Sequence, residues 1–281
     1  MNVFILTRFN IRLWWNHDKS RVPVQTAEWL DERFRLFEKY TLPSVKAQDY
    51  QGLHWICLFD DQTPEKYRSR IAGYGVKCSF DACFVSELEA QHFQDIFRKR
   101  IKELADVADE DLLTIYLDSD DCLRNNYISD LISQTKCNTY NTVFSYIYGI
   151  QYYEENNLAV RIPYPNNHFL AYYERMNDNI RTVWGFWHFS IFRYKKVNIV
   201  TVKNGDMPMW IEVIHQCNVD NDVKMTLHQM PILNRDTLRY FGLEWLLEKQ
   251  WKTCLLYATV FQFRFAQQIV RRMVNKLKKE N

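Results

Sequence analysis

Leu112-Leu-Thr-Ile-Tyr-Leu-Asp118-Ser-Asp120-Asp121 decides how the rest of this chain is read. Its first six residues carry no charge and read as a buried strand. Three carboxylates then follow within four positions. A buried strand gives no reason to end in three negative charges. A divalent cation carrying a phosphorylated ligand gives one, because Mg²⁺ and Mn²⁺ take oxygen ligands and keep substrate phosphates in their shell. The blander reading is a turn, with Asp121 capping the helix that follows.

Two further stretches share the pattern. Val3-Phe4-Ile5-Leu6 is all apolar and runs into Thr7-Arg8-Phe9-Asn10. Trp55-Ile56-Cys57-Leu58-Phe59 ends in Asp60-Asp61. Helical periodicity separates them: Leu30, Phe34 and Phe37 form one stripe, started by Gln25 or Thr26 and ended or bent by Pro43. Pro64 opens a short charged helix stopped by Gly73 and Gly75. Val76 to Val85 reads as a strand. Ser86 with Glu89 is a capping box opening a long helix over Phe93, Phe97, Ile101 and Leu104. Strand alternating with helix over residues 1–135 predicts a doubly wound, mostly parallel α/β sheet with right-handed crossovers. Ligands of such sheets bind beyond the carboxyl ends of the strands. Thr7/Arg8, Asp60/Asp61 and Asp118/Asp120/Asp121 all fall at that end, so they form one candidate site.

The bulk properties narrow the class. The chain has 281 residues, enough for one large domain. Net charge is only +2, which gives no electrostatic case for nucleic acid. The 7 cysteines are scattered without a Cys-x-x-Cys pair, which argues for reduced thiols, a cytoplasmic setting and no zinc site. With 7 glycines there is no Gly-rich phosphate loop after the first strand. The opening residues do not read as a signal peptide, and no stretch approaches the ~18 apolar residues of a spanning helix.

The second half reads differently. Thr142 to Tyr153 and Leu158 to Ile162 form a tyrosine-rich hairpin around Glu154–Asn157. His168 to Tyr173 suggests a further strand. Trp184 to Phe192 is an aromatic run that suits either core packing or a sugar face. Gly205-Asp206-Met207-Pro208 is a turn leading into a helix-like Trp210-Ile-Glu212-Val-Ile-His215, where Glu212 and His215 share a face. A carboxylate there suits a general base, and the imidazole a metal ligand or base. From 241 a basic amphipathic helical tail reaches the end, suited to peripheral contact with an anionic membrane surface or to packing on the domain. The expected division is 1–240, with a ligand-binding half 1–135 and a second half 136–240, then the tail 241–281.

Taken together, Thr7-Arg-Phe-Asn10, Leu42-Pro-Ser-Val45 with Gln48, Trp55 to Asp60 with Thr63-Pro64, Leu117 to Asp121, and Trp210 to His215 with Asn218 resemble the rhamnosyltransferase family. That family is a branch of the GT-A-fold glycosyltransferases related to the large inverting family two. The resemblance spans residues 1 to about 220. It implies a Rossmann-like GT-A domain binding a nucleotide-diphosphate sugar donor through Mn²⁺ or Mg²⁺, with a saccharide or glycolipid acceptor in surface polysaccharide synthesis. Thr7, Arg8, Asp60, Asp61 and Asp118 would meet the donor. Asp118, Asp120 and His215 would hold the metal. Glu212 or Asp206 would be the base, left open because no Glu-Asp pair follows residue 150. The alternatives are a nucleotidyltransferase, or a non-catalytic scaffold of a polysaccharide assembly at the membrane.

Overall fold

Both faces of the first strand, β1 (Asn2–Arg8), are sealed, and this fixes the centre of the molecule. In the computed structural model Val3 and Ile5 point into one apolar cluster while Phe4 and Leu6 point into another. The structure describes residues 1–13, 23–75, 79–215, 230–232 and 235–243, with isolated positions between 255 and 270.

β1 pairs in parallel with β2 (Leu53–Asp60) on one side and β4 (Asp111–Tyr116) on the other. β2 pairs in parallel with β3 (Ser79–Val85), the edge. Beyond β4 lies an antiparallel strand, β9 (Leu170–Arg175), then β6 (Thr142–Tyr146) and β10 (Asn198–Val202). The order of this seven-stranded sheet is β10-β6-β9-β4-β1-β2-β3. The architecture is mixed α/β around a mostly parallel central sheet, as the alternation over 1–135 predicts.

A second, five-stranded sheet has the order β12-β8-β7-β11-β5. Its members are β5 (Cys122–Leu123), β7 (Tyr148–Tyr153), β8 (Leu158–Pro163), β11 (Trp210–Ile214) and β12 (Met230–Pro231). Thr142 to Tyr153 is therefore two strands in two sheets, parted at Ile147. The hairpin itself is present: β7 and β8 pair through a turn ending at Asn157, whose φ of 47° suits asparagine. Trp210 packs face to face on Phe169 and comes so close to Gly149 that a Cβ there would sit 2.1 Å from the indole.

The helices follow the apolar stripes, with some differences from the sequence reading. Thr26 caps α1 (Ala27–Leu36) by accepting from Trp29 N–H. Pro43 does not end this helix. A π-helical turn over Phe37–Thr41 and a short α2 (Leu42–Lys46) carry it on, because the widened turn absorbs the missing N–H. Phe34 and Phe37 pack under β1 and β2 against Phe9, Trp55 and Tyr67. The capping box at Ser86 forms as expected, but it opens only α4 (Glu87–Ala90). The chain re-enters as α5 (Phe93–Leu104), whose Phe97 and Ile101 cover the opposite face of the sheet. After α3 (Glu65–Ala72) comes α6 (Tyr127–Thr135), whose N-cap position is Asn126. Asp121 therefore does not cap it. Trp210 to His215 is strand β11 and the residue after it, not a helix; all-buried Trp210, Ile211 and Val213 are what a strand covered on both faces carries. Among the described residues no helix is long and apolar enough to cross a membrane. Beyond α7 (Arg235–Arg239) and Leu243, the amphipathic tail lies almost wholly outside the described residues.

Candidate active site

The acidic stretch leaves β4 and is immediately caught between two other strands. β4 and β9 pair with Ile115 opposite Ala171, so the same antiparallel register carried outward sets Asp118 across from His168. β5 and β11 pair with Cys122 opposite Ile211, which sets Asp121 beside Glu212. β11 and β7 pair with Glu212 opposite Gln151. Strand register alone brings three carboxylates and an imidazole to one place.

Within it, two clusters form. In the first, Asp121 is fully buried. Its Oδ2 lies 2.8 Å from His168 Nε2, and its Oδ1 accepts from the Val213 N–H at 2.9 Å. Asp118 Oδ2 lies 3.8 Å from the same His168 nitrogen. Burial pushes the Asp121 carboxyl up to about 7, against the pull of His168 and with the help of Asp120. Burial would lower the His168 imidazole, but the bond to Asp121 and the charges of Asp121, Asp118 and Glu212 outweigh it and hold it at about 9. Asp118 is the open member, and the Tyr116 hydroxyl donates to its two oxygens at 3.0 and 3.1 Å.

In the second cluster, Asp120 Oδ2 accepts from Arg33 Nη1 at 3.0 Å and lies 2.9 Å from His215 Nε2. The other Arg33 nitrogen reaches the Ser119 hydroxyl. Burial alone would raise the Asp120 carboxyl; Arg33 and His215 reverse this and hold it well below the usual carboxylate range.

The remaining candidates divide. Asp60 is buried at the end of β2, where Arg12 Nε donates to one oxygen and the Gln62 N–H to the other at 2.6 Å. Asp61 is half-buried and accepts from the Gln62 amide. The Arg8 guanidinium stacks 4.1 Å from the Trp184 ring centroid and bonds the Tyr116 hydroxyl, so it backs Asp118. Thr7 faces away: it is fully buried and accepts from the Trp55 indole at 3.0 Å. Glu212 is fully buried on β11, accepting from the Gln151 amide at 2.8 Å. Asp206 lies in the short turn Asn204–Asp206 before β11, and its side chain is outside the described residues.

The family described as "Putative rhamnosyl transferase" matches residues 10–227, most of the chain. The chain belongs to this family. The description of that family names a sugar transferase. No curated protein matches. Among solved structures, S. aureus TarS residues 1–349 is 8% identical with a TM-score of 0.45, and covers 76% of this chain and 60% of that one. A longer S. aureus TarS structure is 11% identical with a TM-score of 0.33, and covers 55% and 21%. The chain thus spans less than two thirds of either solved protein.

The sequence grouping of Asp118, Asp120 and His215 is spread over both clusters. Among the described residues, the group whose ligand atoms all lie within 4.8 Å of one another is Asp118, Asp121 and His168. The two carboxylates suit Mn²⁺ or Mg²⁺ in kind, and the imidazole would join them only as the neutral ring. His168, Arg33 and Arg12 were not among the sequence candidates. Arg33 had one signal, an arginine on the apolar stripe of α1 between Leu30 and Phe37. His168 had none, since only the β4–β9 register brings it to the site.

Proposed function

We propose that this transferase moves a sugar, rhamnose or another hexose, from a nucleotide-diphosphate donor to a hydroxyl of a saccharide or glycolipid acceptor in surface polysaccharide synthesis, with inversion and on the cytoplasmic side. The observation that carries this reading is the convergence at the carboxyl ends of three neighbouring strands. Arg8 ends β1, Asp60 ends β2, and Asp118 to Asp121 follow β4. Family membership supplies the reaction class.

Each residue then has a task. Asp60, oriented by Arg12 and the Gln62 amide, accepts from a base N–H or ribose hydroxyl. Asp61 borders the same place. Arg8 fixes the Tyr116 hydroxyl, which holds Asp118 at the open edge. Asp118, Asp121 and His168 would hold Mn²⁺ or Mg²⁺, which when bound would offset the negative charge of the departing diphosphate. Asp120 and His215 are drawn together with Arg33 and brace the floor beneath the site. Glu212 is sealed behind His168, so we assign it to raising the proton affinity of that imidazole. A general base must reach the acceptor hydroxyl. Asp206, on the turn before β11, is the carboxylate left for that role.

Calorimetry with UDP-, GDP- and dTDP-sugars in the presence of Mn²⁺ tests the reading. One class should bind and be slowly hydrolysed without acceptor. Absence of binding and turnover with all three overturns it. Asp206→Asn should then lower transfer by at least about a hundredfold while donor binding persists; unchanged transfer removes Asp206 as the base.

A further inference from the structure

Arg124 follows β5 directly and leads toward α6. Both polar groups of its backbone are engaged. Its N–H donates to the Met209 carbonyl at 2.9 Å, and its carbonyl accepts from the Gln48 amide at 2.8 Å and the Tyr127 N–H at 2.9 Å. The side chain differs. Arg124 is only 7% exposed, yet its Nε meets no hydrogen-bond partner among the described residues. Its Nη1 reaches the Pro208 carbonyl at a long 3.5 Å. The other contact is the Tyr240 ring, whose centroid lies 4.0 Å from the guanidinium carbon. A carbonyl dipole and a ring face soften a buried positive charge without neutralising it.

Other arginines of the chain show what is missing. Arg35 grips Glu32 and Glu154, Arg70 grips Glu38, and Arg100 grips Asp81 and Glu103. Those carboxylates push all three guanidinium groups up. Among the described residues no carboxylate acts on Arg124: burial pushes it down, and only Tyr240 opposes this. A guanidinium keeps its charge at any accessible pH, so it does not escape the cost by losing a proton. A buried water would give the Nε an acceptor, but it would bring the charge no counterion.

The cover over this cation is one ring, and its backbone is pinned. Tyr240 is itself 45% exposed. Its carbonyl accepts from the Asn125 N–H at 2.6 Å. The turn after it closes through Gly242 N–H on the Arg239 carbonyl at 2.9 Å, with Gly242 at φ 71° and a Cβ there only 3.1 Å from the Pro43 carbonyl oxygen.

We propose that Arg124 is an oxyanion site whose ligand is a phosphate group, entering beside the Tyr240 ring onto the Nε edge of the guanidinium. That edge presents parallel N–H groups at the spacing of two phosphate oxygens. A carboxylate fits the same fork, but a phosphate monoester brings more negative charge to a cation that has no other partner. A soluble phosphate ester and a lipid headgroup carry the same group, and the experiment separates them. The site uses none of the acidic clusters, so it stands or falls apart from the glycosyltransferase reading.

The test uses the full chain in metal-free buffer at constant ionic strength. The Arg124 Nε–H resonance, assigned by its absence from Arg124→Gln, should move saturably with inorganic phosphate and far less with acetate. Arg124→Gln should weaken phosphate binding roughly ten- to a hundredfold, the loss expected for a charge-assisted pair, and Arg124→Lys should recover part of it. Co-sedimentation with phosphatidate vesicles that is lost in Arg124→Gln assigns the phosphate to a lipid. A resonance saturated by phosphate, with vesicle binding equal in both proteins, assigns it to a soluble ester. Without phosphate, Arg124→Gln should keep at least the wild-type thermal midpoint, because it removes an uncompensated buried charge; added phosphate should raise the midpoint more in the wild type. A resonance unmoved by phosphate with vesicle binding unchanged by the substitution overturns the site, as does acetate matching phosphate. A phosphate-free midpoint of Arg124→Gln well below wild type also overturns it, since packing on Tyr240 would then be the purpose of the guanidinium.

Discussion

Asp120 and Asp121 are neighbours in sequence, both are buried, and each meets a histidine. Their electrostatic states are nevertheless opposite. Asp120 has the Arg33 guanidinium as well as His215, and is held far below the usual range. Asp121 has His168 and one backbone N–H, with Asp120 and Asp118 adding repulsion, and is pushed up to about 7. Burial acts on both in the same direction. The difference is the permanent cation, because a guanidinium stays charged at any accessible pH and an imidazole does not. A cluster already neutralised by arginine has little left to offer a metal. A cluster with excess negative charge has room for one.

The largest expected effect follows from that contrast. Asp121→Asn and Asp118→Asn should each lower Mn²⁺ affinity and donor turnover by at least about a hundredfold, in the range seen when a charge-stabilising group is lost. Asp120→Asn should leave Mn²⁺ affinity within a few-fold of wild type. Isothermal titration with Mn²⁺ on the three purified variants reads this directly. The reverse ranking, with Asp120→Asn losing the metal and Asp121→Asn keeping it, would break the comparison and restore the grouping expected from the sequence pattern.

Stability should rank the two the other way. Arg33→Met leaves the buried Asp120 carboxylate with His215 alone, and removing one partner of a buried ion pair costs about 3–5 kcal/mol. Urea unfolding should show that loss in Arg33→Met and much less in the double variant Arg33→Met/Asp120→Asn, where no unpaired charge remains. Equal destabilisation of both would mean that Arg33 acts through its packing on Trp29 rather than through Asp120.

The sequence makes one side of this comparison easier to see than the other. Apolar runs ending in Arg8, Asp60 and Asp118 mark the parallel sheet and the carboxyl end where the candidate site lies, because strands buried on both faces leave an unbroken hydrophobic signature. Asp118 is legible as a candidate site residue for the same reason. The division of labour between Asp120 and Asp121 is not. It depends on His168, which reaches the site through antiparallel pairing of β9 with β4, and on Arg33, which reaches it through helix packing; neither leaves a spacing pattern. The helix expected at Trp210–His215 fails for a related cause. Glu212 and His215, three apart, suit a helical face, but the run is buried on both sides, and alternation gives no signal in a fully covered strand. Thr7 illustrates the limit at the level of one side chain. Its place at the strand end is right, and its hydroxyl is taken by Trp55.

A third carboxylate knot calibrates the other two. Glu154, at the tip of the β7–β8 hairpin, accepts from Arg35, Lys39 and the Tyr40 hydroxyl. Burial works to raise its carboxyl, and these three donors outweigh it and hold it at about 2. It resembles Asp120 in kind, with a permanent cation as partner, and has no part in the proposed chemistry. An unfolded glutamate titrates near 4.3. A carboxyl whose folded pKa is depressed contributes stability that is fully present above the unfolded value and is lost as pH falls toward the folded one. The contribution should therefore be intact at neutral pH and fade between about pH 4.5 and pH 2. Glu154→Gln should be less stable than wild type at pH 7, and the gap should shrink as pH is lowered through that window, while Mn²⁺ and donor affinities stay as they were. This is the smallest effect of the set, since the knot is partly open to water and screened there. A gap that does not change with pH would show that the glutamate acts through its hydrogen bonds and not its charge. The low position of Asp120 would then need a cause beyond its arginine.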